Sequence, residues 1–133
     1  MEYAALAAWI LAALAGGYLL VIWMTHGGHA TKVTRFPILI VVGHPLAAVA
    51  GLAVWIVYLA TARAEFAWGA FAALLVVIAQ GFMLFTRWLV GRGGRHARGA
   101  EQAFPAAAVV VHGGVAVTTF VLVFLTAMGV TGA

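Results

Sequence analysis

FPILIVVGHPLAAVAGLAVWIVYLAT, residues 36–61, runs for twenty-six positions without an Asp, Glu, Lys or Arg. About 20 apolar residues suffice for a helix to cross ~30 Å of hydrocarbon, so this run is long enough to span a bilayer. It shows no alternation of polar and apolar residues. In lipid every backbone N–H and C=O must then be satisfied within the segment, which demands a helix.

Working outward, three further runs have the same character. The four expected spans cover about 3–24, 37–61, 66–90 and 105–130, the third being apolar to Phe85 with a basic extension. The connections are short, so neighbouring spans run antiparallel. The expectation is an all-α, integral membrane four-helix bundle, up-down-up-down, forming one domain over residues 1–133. Composition agrees. Hydrophobic residues make up 66% of the chain and charged residues 8%, against about 45–50% and about 25% in soluble domains. Met1-Glu2-Tyr3 carries no basic n-region, so the first span is expected to be retained.

The charges are few and placed by sign. Lys32, Arg35, Arg87, Arg92, Arg95 and Arg98 lie in or beside the first and third connections, and only Arg63 lies in the second. The positive-inside rule puts the first and third connections in the cytoplasm and both termini outside, as in a multi-pass protein of the cell (inner) membrane. Basic residues placed as topology signals argue against a nucleic-acid partner. Cysteine is absent, which excludes disulfides, thiolate metal sites and covalent haem attachment. Paired carboxylates, a Ser/His/Asp set, a phosphate loop and HExxH are absent too, and Glu2, Glu65 and Glu101 lie at the membrane edges. Hydrolase and transferase chemistry are thereby disfavoured.

The chain repeats itself. Phe36-Pro37 leads to Val41-Val42-Gly43-His44, and Phe104-Pro105 leads to Val109-Val110-Val111-His112, a shared F-P-x-x-x-V-V-x-H. More loosely, Gly17-Tyr18-Leu19-Leu20 with Trp23 echoes Gly81-Phe82-Met83-Leu84 with Trp88. Two tandem helix pairs follow, related by a pseudo-twofold axis along the membrane normal. Proline suits a first helical turn. Each histidine then lies roughly 10 Å along its helix at 1.5 Å per residue, at one depth in the cytoplasmic half.

Ionisable residues inside a span usually face the bundle interior and have a partner there. Spans two and four are diagonal in the bundle, about 11–14 Å apart for neighbouring axes at 8–10 Å. That distance is too wide for a direct imidazole–imidazole hydrogen bond and admits a flat macrocycle with iron at its centre. His44 and His112 are therefore expected as axial ligands of one haem b. Gly17, Gly81, Gly43 and Gly113, with Gly114, lie near that depth and would clear its edges, and Gly51 lies seven residues on from His44 on the same helical face, although small residues also serve plain helix packing. Lys32, Arg35 and Arg87 stand at the rim where propionates would need counter-charges.

Other features have plainer readings. Met24, His26, His29 and a distant His96 offer a weak copper or zinc set in a glycine-rich connection. Gln80 is expected to hydrogen-bond between helices, and Pro45 to kink span two. Trp9, Trp23, Trp68, Trp88 and Tyr3 are expected as an interfacial aromatic belt. Trp55 and Tyr58, on the His44 face, are expected to fill space.

With its F-P-x6-H spans, the chain resembles small four-helix membrane b-type cytochromes, a class that includes haem-bearing anchor subunits of respiratory oxidoreductases. The resemblance covers the bundle layout and His44 and His112. It implies an electron-transfer protein, not a catalyst on its own, that relays single electrons through a bis-histidine haem b to or from quinone or a redox partner subunit. The chain would work in an oligomer or a larger complex. Many members hold two haems, whereas this chain offers one intramembrane histidine pair. The residues themselves leave two other readings open. One is a transporter or channel component using the histidines for proton or metal-ion handling; the other is a cofactor-free structural subunit.

Overall fold

The computed structural model describes residues 1–30, 36–93 and 99–129. Among these the chain is helical, with no strand. The helices are α1 (Glu2–Thr25), α2 (Ile38–Thr61), α3 (Ala64–Gly91) and α4 (Ala106–Ala127), with a 3-10 turn at Ala100–Ala103. All four long helices have the length and apolarity to cross a membrane, at mean hydropathies of 2.0 to 2.3. The protein is thus a multi-pass, all-helical bundle, and the spans expected from sequence agree with the helices to within about three residues. The third helix is one continuous element through its basic extension.

Helix boundaries follow local chemistry. Pro37 and Pro105 cap α2 and α4 with nearly the same backbone (φ −64, ψ 124 and φ −61, ψ 126). Each offers its carbonyl to the residue four on, Val41 (3.0 Å) and Val109 (3.2 Å). The duplicated motif thus starts both helices at the same point. Pro45 lies inside α2, which continues across it to Thr61. The α2–α3 turn is two residues long, and Ala62 adopts a left-handed conformation (φ 53, ψ 20) that ends α2.

Packing pairs α2 with α3 and α1 with α4 most extensively, then α3 with α4, and α1 with α2 least among neighbouring helices. Two apolar clusters form the interior. One, toward the second connection, holds Ala5, Trp9, Trp55, Ala70, Leu74 and Val123. The other, toward the first and third connections, holds Leu19, Trp23, Phe36, Val41, Trp88 and Val109. Repeat equivalents recur in the second cluster, with Leu19 matched by the adjoining Leu84, Trp23 by Trp88 and Val41 by Val109. Gly51 lets α2 approach its neighbours, because a Cβ there would stand 3.0 Å from both Ala73 Cβ and the Trp9 ring.

Three of the tryptophans expected at the lipid interface are instead core residues. Trp9, Trp23 and Trp88 are 2%, 3% and 4% exposed, while Trp68 and Tyr3 are 42% and 67% exposed. Large rings near helix ends fill the bundle as readily as they face headgroups, and spacing alone does not separate the two.

Candidate functional site: a pair of interior imidazoles

The two motif histidines come together. Their ring centroids are 6.2 Å apart with planes at 78°. Each is anchored from its far side. The Nδ1–H of His44 donates to the carbonyl of Val77 on α3 (3.0 Å), and that of His112 to the carbonyl of Ala12 on α1 (2.9 Å). A backbone carbonyl has no proton to give, so Nδ1 carries the hydrogen. In the neutral ring Nε2 is then the lone-pair nitrogen, the tautomer suited to a metal. Neither Nε2 makes a hydrogen bond among the described residues, and both rings keep some accessible surface although they lie between the two apolar clusters.

The anchoring carbonyls reveal the register of the looser repeat. Val77 is followed four residues on by Gly81, and Ala12 by Gly16. Gly81 lies against the His44 ring and Gly16 against the His112 ring. The structural equivalent of Gly81 is therefore Gly16, in step with Trp23 and Trp88, and not Gly17. Gly17 lies on the exposed face, where a Cβ would meet nothing within 4 Å, and so does Gly113. Gly43 faces the Gln80 amide, 3.1 Å from where its Cβ would be. Among the expected glycines, Gly81 touches a histidine, Gly43 adjoins one in sequence, and Gly17 and Gly113 face outward. The glycine that sequence reading missed, Gly16, could have been found by aligning the repeat on Trp23 and Trp88.

Gln80, expected to bond between helices, has its Oε1 buried without a partner among the described residues. Trp55 is wholly buried against Tyr58 (centroids 4.8 Å), and Tyr58 donates to the Glu2 carboxylate (3.3 Å). His26 stands with Nδ1 2.8 Å from the Ile22 carbonyl, closing the end of α1. No group of three or more candidate metal ligands occurs among the described residues. Arg87 lies exposed near the end of α3. Lys32, Arg35, Arg95, His96 and Arg98 lie outside the described residues.

An apolar groove of about 420 Å³ follows the α1–α2 seam, its lining including Leu20, Trp23, His29, Val41, Pro45 and Val49; neither His44 nor His112 lines it. Fold and centre together define a multi-pass helical membrane protein with paired imidazoles in its interior. No protein-family model, curated protein or solved structure matches this chain.

Proposed function

We propose that this chain is a membrane b-type cytochrome in which His44 and His112 hold one haem b from opposite sides. The observation that carries the reading is the arrangement of the two rings. If their free nitrogens faced one shared metal at about 2 Å, with each ring centre about 1 Å behind its nitrogen, the two imidazoles would have centroids about 6 Å apart. The separation here is 6.2 Å. A histidine ligand also characteristically spends its other ring N–H on a carbonyl or carboxylate, as both do here. The α1–α2 seam between the two tightly packed helix pairs, with its apolar groove, is where the edge of a flat group would emerge.

His44 and His112 would hold the haem, and the haem would supply single-electron transfer. The chain's own contribution is to fix both tautomers through Val77 and Ala12, to aim both rings inward, and to exclude water with the clusters on either side. Arg87, with Lys32 and Arg35, would provide counter-charges for the propionates. The balance of Arg and Lys supports cytoplasmic first and third connections with both termini outside, which sets the haem in the cytoplasmic half. Its electrons would pass to or from quinone or a redox subunit, within an oligomer or larger complex.

Absorbance of the purified protein tests the reading. A Soret band with sharp reduced α and β bands is expected, lost in His44→Ala and in His112→Ala and kept in His26→Ala and His29→Ala. A colourless wild-type protein purified from haem-replete cells overturns the proposal. Because the chain has no cysteine, single cysteines at Ala30 and Ala62 test the topology, with labelling expected from opposite faces of the membrane.

A further inference from the structure

The two halves hold their histidines by the same device with unequal clearance. In an α-helix the carbonyl of one residue faces the N–H of the residue four on. The side chain nearest the Ala12 oxygen is therefore that of position 16, and nearest the Val77 oxygen that of position 81. Both are glycine, which leaves each carbonyl open to a second donor, the imidazole. A Cβ at Gly16 would stand 2.8 Å from Cε1 and 3.3 Å from Nδ1 of His112. At Gly81 the nearest ring atoms, Cε1 and Nδ1 of His44, are 3.3 and 3.9 Å away. The second contact is met by a shift of a few tenths of an ångström. The first is shorter than carbon atoms tolerate, so the His112 ring must move, and moving it strains the bond to the Ala12 carbonyl.

We infer that Gly16 is the positioning residue for His112, opening the Ala12 carbonyl so that the ring docks with Nδ1 on α1, and that Gly81 is its permissive counterpart. As an account of ligand placement this rests on the haem reading, while its steric part stands without haem.

The test uses full-length protein labelled with ¹⁵N-histidine in detergent micelles, without haem, as wild type, Gly16→Ala, Gly81→Ala and Gly17→Ala. Gly16→Ala is expected to shift or abolish the hydrogen-bonded Nδ1–H signal of His112 and to leave that of His44. Gly81→Ala and Gly17→Ala are expected to preserve both. An unchanged His112 signal in Gly16→Ala, or an equal response to Gly81→Ala, overturns the inference. Should Gly16→Ala fail to fold, the double variant Gly16→Ala/His112→Ala decides: recovery of the fold supports the clash with His112, and persistent unfolding refutes it. Haem-loaded samples separate this inference from the reading it rests on. A wild type that takes up no haem defeats the haem reading and leaves the ring-signal result standing. If wild type is low-spin, Gly16→Ala is expected to gain a high-spin fraction, and a fully low-spin Gly16→Ala spectrum overturns the role in ligand placement.

Discussion

Phe36 and Phe104 touch each other, ring centroids 5.9 Å apart and planes at 52°. They are the same residue of the duplicated motif, so the contact is one the repeat makes with itself across its axis. His44 and His112 approach each other in the same way further along, on α2 and α4, the helices that Phe36 and Phe104 precede by two residues. Repeat-related ring pairs thus meet at two heights, one where the chain leads into α2 and α4 and one within the helices.

The Phe36–Phe104 contact is measurable as a coupling. In a double-mutant cycle of Phe36→Ala and Phe104→Ala, followed by denaturant unfolding in mixed micelles, a coupling of about 0.5–1.5 kcal/mol is expected for the ring pair. Strictly additive single-site losses would show that the rings do not interact.

Gln80 carries a buried amide oxygen with no partner among the described residues. An orphaned polar atom costs about 1–3 kcal/mol relative to a satisfied or apolar one. Gln80→Leu is accordingly expected to leave the unfolding midpoint unchanged or raise it. A loss of more than about 1 kcal/mol would mean that the amide makes a stabilising bond.

The tryptophans divide into a buried set and one that faces outward. Trp9, Trp23, Trp55 and Trp88 are at most 4% exposed, against 42% for Trp68. In bilayers with brominated acyl chains, most of the quenchable fluorescence is expected to come from Trp68 and to disappear in Trp68→Phe. Quenching that survives this substitution would place the other indoles at the lipid surface.

Ala62 ends α2 with φ 53, a conformation that costs an L-residue roughly 1–2 kcal/mol and costs glycine almost nothing. Part of that gain is offset by the extra freedom of glycine in the unfolded chain. Ala62→Gly is expected to stabilise the bundle by about 0.5–1 kcal/mol, read as a raised unfolding midpoint. A destabilised variant would argue against the left-handed turn.

The four helices were legible because bilayer crossing is a demand on length and apolarity, both one-dimensional properties. The motif beginning Phe36-Pro37 and Phe104-Pro105 equally determined that His44 and His112 lie at one depth, since proline starts both helices and the rise per residue is constant. Which way each helix faces was another matter. In a membrane both the lipid side and the bundle side are apolar, so the contrast that marks the inner face of a soluble helix is missing. Only packing could decide that Gly16, and not its neighbour Gly17, lies against a histidine, that Trp9, Trp23 and Trp88 turn inward, and that the carbonyls of Ala12 and Val77 receive the imidazoles. Those are facts about the rotation of helices about their own axes, which close steric fit between neighbours determines and hydropathy does not.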